Sequence, residues 1–120
     1  MLEKVNLAEK FDLVDDFWHQ RLLGEVNSFQ VKIAKLQGDF VWHHHEVEDE
    51  MFLVIKGNLT IKLRDGDVHL SEGEFLIIPK GIEHQPSAAA EVQVLVFEPG
   101  TTLNTGNVTN ERTRTVVEPL

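Results

Sequence analysis

The chain has 120 residues, with 11 Lys plus Arg against 20 Asp plus Glu, so its formal charge is −9. That length fits one domain, and the negative field disfavours nucleic-acid backbones and anionic membrane surfaces as partners. The lack of cysteine excludes disulfides, thiolate metal sites and cysteine nucleophiles, while six histidines, three of them adjacent at His43, His44 and His45, stand out from the composition.

The opening MLEKVNLAEKFDLVDDF is acidic throughout and has no apolar stretch of signal-peptide length. No later run approaches the apolar length of a bilayer span. A cytoplasmic protein is therefore expected, in which the sequons Asn58-Leu59-Thr60 and Asn107-Val108-Thr109 are coincidences. Residues 1–24 read as a short helix plus a loop: Asn6 followed by Glu9 has capping-box character, and Leu7, Phe11 and Val14 fall at helical spacing.

From Phe29 the period changes to two, since Phe29, Val31 and Ile33 alternate with Gln30 and Lys32 as in a half-buried strand. Further short runs follow at Phe52–Ile55, Leu59–Leu63, Val68–Leu70, Phe75–Ile78 and Val92–Phe97, punctuated by Gly and Pro turns. The rhythm predicts a small all-β sandwich or barrel, with no βαβ spacing. Leu59, Ile61 and Leu63 share one face against Thr60, Lys62 and Arg64, as in a strand wet on one side. Val92–Phe97 carries apolar residues on both faces, which calls for a second contact surface and points to a homodimer. The polar tail 101–120 is compatible with folding over the barrel, pairing with a partner subunit, or partial disorder.

In Trp42-His43-His44-His45 a strand is expected, which sends His43 and His45 to one face and His44 to the other. After the acidic stretch Glu46–Asp49, read as a solvated hairpin tip, Glu50 opens a run whose same face carries Phe52 and Val54. A carboxylate heading a buried face is costly without a partner, and a divalent ion beside two imidazoles would satisfy it. His84, aimed by the turn Pro79-Lys80-Gly81, is a fourth group of the same kind. Two other readings stay open: a register pairing His44 with Glu46, and inward histidines bonded within a polar core without metal. His44 reads as a surface residue, His19 and His69 as residues without a role, and Trp18 and Trp42 as core or interface. Most Lys and Arg fall in outward phase or in turns, so no second acid or base facing the interior is identified.

These residues resemble the cupin superfamily. Gly38, His43-x-His45, Glu50 four residues on and Gly57 match its first motif, with Gly38 one residue closer to the histidine pair than usual. Gly73, Pro79-x-Gly81 and His84 match its second motif, with Ala88 in place of the usual closing Asn. The resemblance implies one cupin domain over 1–120, with its motif core at 38–88. Its fold would be a double-stranded β-helix, the jelly-roll barrel, preceded by a short N-terminal helix. It also implies His43, His45, Glu50 and His84 as ligands of one divalent metal, Fe, Mn, Ni or Zn. Six-coordinate geometry would leave about two open positions for water or substrate. The expected activity is that of a dioxygenase, isomerase or lyase on a small oxygen-rich molecule, with Val41 and Phe52 as pocket walls. The alternatives are a non-catalytic binding or sensor module and a dimeric scaffold with a vestigial site, since fold alone does not set function.

Overall fold

The structure is a computed structural model that describes residues 2–120. Helix α1 spans Leu7–Asp12, and the Asn6 side chain accepts a hydrogen bond from the Glu9 amide at 3.0 Å, satisfying one of the free N–H groups of the first turn. Its one buried residue, Phe11, joins Val14 on Ile33, with Leu7, Leu23 and Leu95 packed around them. No helix among the described residues is long and apolar enough to cross a membrane.

The strands are β1 Arg21–Val26, β2 Phe29–Asp39, β3 Glu50–Lys56, β4 Leu59–Leu63, β5 Gly66–Leu70, β6 Phe75–Ile78, β7 His84–Pro99 and β8 Glu118–Pro119. The long β7 organises them. Along one edge it pairs antiparallel with β2, from Phe29 opposite Pro99 to Asp39 opposite Ser87. Along the other it pairs first with β4, at His84–Ser87, and then with β3, at Gln93–Phe97. Strand β5 extends β4 and β6 extends β3, so one continuous, unclosed sheet curls into the two layers of a jelly roll. Where β7 passes between its two partners, Gly57 is required: its φ is 96°, and a Cβ there would lie 2.9 Å from the Glu91 carbonyl oxygen. Val54, Leu59, Ile61, Val92, Val94 and Val96 fill the space between the layers. Each such side chain contributes about 1.5–3 kcal/mol on burial.

Several expectations are corrected. Residues 21–26 form β1, an element the sequence hides because RLLGEV lacks alternation and carries a bulge between Leu22 and Gly24. Strand β7 starts at His84 rather than Val92, the alanine run having masked it. Strand β2 is not half-buried: Lys32, Ala34 and Leu36 point inward while Ile33 is buried outward beneath α1. The second apolar face of Val92–Phe97 is covered in part by the chain itself, since Leu95 packs against the α1 cluster and Phe97 stacks on Phe29 with ring centroids 5.2 Å apart. Trp42–His45 is not a regular strand, forming only an isolated bridge at His43. The tail folds over the barrel, with Thr105 fully buried and β8 pairing parallel to β1.

Candidate metal centre

The centre is built around that isolated bridge. The His43 amide donates to the His84 carbonyl at 3.0 Å and the His84 amide donates to the His43 carbonyl at 2.9 Å, which sets their ring centroids 4.3 Å apart. Each ring is then fixed by one local device. Nδ1 of His43 lies 2.8 Å from the Val41 carbonyl oxygen, and Nδ1 of His84 lies 2.9 Å from that of Ile82. A carbonyl accepts only, so Nδ1 carries the proton in both rings and each Nε2 keeps its lone pair for a ligand.

The inward and outward assignment of the triplet holds without a regular strand. His43 and His45 are buried, while His44 is half-exposed and its Nε2 sits 2.6 Å from Glu46 Oε1. The His44–Glu46 pair therefore exists, but at the surface and closed on itself. The tail supplies the hydrogen bonds a neighbouring strand would have made: Asn107 Oδ1 accepts from the His44 amide at 2.8 Å and the Asn107 amide donates to the His44 carbonyl at 3.0 Å.

Glu50, at the head of β3, is buried with Phe52 and Val54 on its face of the strand. Its Oε1 is 3.2 Å from His84 Nε2 and 3.5 Å from His45 Nε2. One ligand atom from each of His43, His45, Glu50 and His84 lies within 4.8 Å of the others. Both ring nitrogens of His45, Nε2 of His84 and Oε1 of Glu50 are buried without a hydrogen-bond partner. Each orphan of this kind costs about 1–3 kcal/mol. One divalent cation at their common focus would satisfy three of the four residues at once, and ligand atoms about 2.1 Å from an ion sit about 3–4 Å apart. The cluster thus fits a metal ion in both donor chemistry and spacing.

Electrostatics agree with that fit. Burial, and then the charge of His84, lower the His43 pKa from 6.5 to about 4, so the ring is neutral and ready to ligate. Burial acts to raise the Glu50 pKa, but the adjoining polar groups of Glu98, His45 and His84 outweigh it and hold the carboxyl well below its ordinary range. Burial and the neighbouring Glu50 charge push Glu98 the other way, well above its ordinary range, against the opposing pull of Lys32.

Sequence reasoning missed Lys32 and Glu98, which are both fully buried and face inward. Glu98 had a signal: it continues the inward series Val92, Val94, Val96. Lys32 had a weaker one, sharing its face with Ala34 and Leu36. Phe52 lines the interior beside His43 and Glu50, while Val41 packs against the interior apolar cluster and offers its carbonyl to His43. There a narrow cavity of about 30 Å³ is bounded by His43, Glu50, Phe52, Phe40, Trp18 and Gln20. Trp18 and Phe40 stack with centroids 4.8 Å apart, and Trp18 holds a φ of 59°, a backbone state that a bulky side chain rarely adopts. The tail closes this end through Asn104 and through Arg112, which donates to the Asp39 carbonyl at 2.9 Å and lies over the Trp18 ring. Trp42 is remote from the cavity and stacks beneath Arg64 at 3.8 Å.

Residues 29–98 match the family model described as a cupin domain. A cupin-2 domain containing protein of Shewanella frigidimarina superposes with a TM-score of 0.78 at 42% identity, covering 79% of this chain and 93% of that one. A protein of Neisseria meningitidis superposes with a TM-score of 0.75 at 25% identity, covering 82% of this chain and all of the other. Among curated relatives, the uncharacterised Bacillus subtilis protein YdbB is 39% identical over 64 residues, 52% of this chain and 57% of that protein. The 3-hydroxyanthranilate 3,4-dioxygenase of Xenopus tropicalis is 35% identical over 60 residues, 47% of this chain and 21% of the enzyme. The chain thus spans little more than half the length of the first of these relatives and about a fifth of the second.

Proposed function

The chain belongs to the cupin domain family, and from that premise we propose that it is a small divalent-metal enzyme acting on an oxygen-rich metabolite. The observation that carries this reading is the convergence of His43, His45, Glu50 and His84, with buried orphaned atoms aimed at one point. Three imidazole nitrogens and one carboxylate oxygen suit Fe(II), Mn(II), Ni(II) or Zn(II). When bound, such an ion supplies Lewis acidity and, for iron, a site for O2 beside the substrate. Among dioxygenase, isomerase and lyase chemistries, the dioxygenase type draws support from the partial match to 3-hydroxyanthranilate 3,4-dioxygenases.

The chain's own residues do the rest. Val41 and Ile82 carbonyls hold the His43 and His84 rings in the ligating tautomer. Trp18, Phe40 and Phe52 exclude bulk water and offer flat apolar walls. Gln20 Oε1, buried without a partner at the cavity wall, accepts a hydrogen bond from an O–H or N–H of the bound molecule. A cavity of about 30 Å³ has room for only about a water or two, so a ring-sized substrate requires the tail over Trp18 and Phe40 to move.

That tightness favours one competing reading, a non-catalytic module that binds a small ligand. Loading the protein anaerobically with Fe(II), Mn(II), Ni(II) or Zn(II) and screening O2 uptake and turnover on aminophenols, diketones and sugar acids divides the two. Turnover supports the enzyme, whereas tight binding without turnover across the panel supports the module. Failure to hold any of these metals contradicts both and leaves a scaffold with a vestigial site.

The assembly proposed with this function is a homodimer through the outer face of β3 and β6. Phe75 and Ile77 are 57% and 55% exposed there, directly across from Leu53 and Met51. The chain's own elements leave this apolar sheet face uncovered.

A further inference from the structure

Lys32 and Glu98 are the largest charged side chains with no surface exposure at all. Neither lines the cavity. The Lys32 ammonium lies 2.7 Å from Glu98 Oε1, yet the angles complete no hydrogen bond, so both groups keep unused bonding capacity. A buried ion pair is a poor device for stability, because desolvation consumes most of the Coulombic gain and apolar residues of like volume do as well or better. Its position supplies another reason for it.

Strands β3 and β7 pair Met51 with Phe97 and Phe52 with Val96. One further step in this register sets Glu50 opposite Glu98 on the inner face. Two carboxylates directly opposite each other repel, and inside a barrel that repulsion is amplified by the low dielectric. The arrangement survives if a cation beside the outer carboxylate offsets the repulsion. Lys32 is that cation: it lies opposite Val96 on β2, two residues from Glu98 along β7, on the same inward face.

Building on the metal-centre reading above, we infer that Lys32 and Glu98 are positioning residues that clamp Glu50 from behind and fix the carboxylate oxygen it presents to the metal. Glu98 stands one register step beyond the Met51–Phe97 pair, opposite Glu50 and outside the cavity lining, and Lys32 holds Glu98 at 2.7 Å. The chain Lys32–Glu98–Glu50 does for the carboxylate ligand what the Val41 and Ile82 carbonyls do for His43 and His84. His45 receives no such support, since both of its ring nitrogens lack a partner, so the clamp acts on the ligand that bridges toward two of the three imidazoles.

The test is Co(II) titration of the full chain, read by the visible d–d band and by competition with a chelator, alongside thermal melts of the metal-free proteins. The double variant Lys32→Met/Glu98→Leu exchanges the pair for apolar groups of similar volume. It is expected to melt cooperatively at or above the wild-type temperature, yet to bind Co(II) about 10–100-fold more weakly with a shifted band. Glu98→Gln keeps the side-chain volume, removes the like charge and offers Glu50 an amide donor, and is expected to recover most of the affinity. Wild-type affinity and band in the folded double variant, or Glu98→Gln as weak as the double variant, would overturn the clamp. If the double variant gives no cooperative melt, Lys32→Met is read instead, with the same weakening expected and wild-type binding overturning the proposal. A wild-type chain that binds no Co(II) overturns the metal centre itself and the clamp with it, whereas wild-type binding with unaltered variants overturns the clamp alone.

Discussion

Glu50 and Glu48 lie two residues apart and differ in what surrounds them. Glu50 is buried against two imidazoles, whereas Glu48 is half-buried and accepts a hydrogen bond from Thr101 at 3.0 Å. Glu50→Gln is therefore expected to weaken metal retention by tenfold or more, on the order of 1.4 kcal/mol, while Glu48→Gln leaves it unchanged; equal losses in dialysis against a chelator would refute the assignment. His43 sets a pH dependence. Its folded pKa is about 4 against 6.5 when free, so between those values the unfolded chain binds a proton that the folded chain does not. The metal-free protein should accordingly keep its full stability above about pH 6.5 and lose it as pH falls toward 4. The contribution of this residue is on the order of 3 kcal/mol at 1.36 kcal/mol per pKa unit. Denaturant melts across that range check this. A His43→Gln variant should show a shallower slope, and an equal slope would contradict the role of His43.

At the scale of elements, the tail is held on the site by close backbone contact. A Cβ on Gly106 would lie 2.2 Å from the His44 carbonyl oxygen and 3.0 Å from His43 Cδ2, and the residue has a φ of 57°. Gly106→Ala should lift the 101–115 segment from the His43–His45 loop and cost about 1–3 kcal/mol. A melting temperature equal to the wild type would show that the contact relaxes freely. Nothing in the sequence marked this element, because polar Thr and Asn runs have no periodicity and its partners are the backbone atoms of residues more than sixty positions away. The legible elements were β4 with its alternation, β3 as a short apolar run headed by Glu50, and the helix whose Asn6 cap is a local signal. Strands β2 and β7, buried on both faces, misled in proportion: the first concealed that Lys32 points inward and the second that its outer face meets α1. The convergence of His43, His45, Glu50 and His84 was readable because phase sets His43 and His45 on one face and the resemblance to the two cupin motifs joins Glu50 and His84 to them. The Lys32–Glu98 pair was not, since it depends on which of two apolar faces lines the interior.

For the whole molecule, the uncovered face at Phe75 and Ile77 predicts that Ile77→Lys shifts the protein from dimer to monomer in light scattering. A monomeric wild type would refute that interface. The jelly roll brings residues from three parts of the chain, the loop after β2, the head of β3 and the start of β7, to one buried point in a molecule of charge −9. Three neutral imidazoles and one carboxylate around a divalent ion leave that point at about +1, an attractive focus for an anionic, oxygen-rich ligand. The most direct test of this account is the metal content of untagged protein after anaerobic loading with Fe(II), measured by elemental analysis for the wild type and for His45→Ala. About one ion per chain is expected in the wild type, and a large loss in a variant that still folds. Metal-free wild type, or equal content in the two proteins, would contradict it.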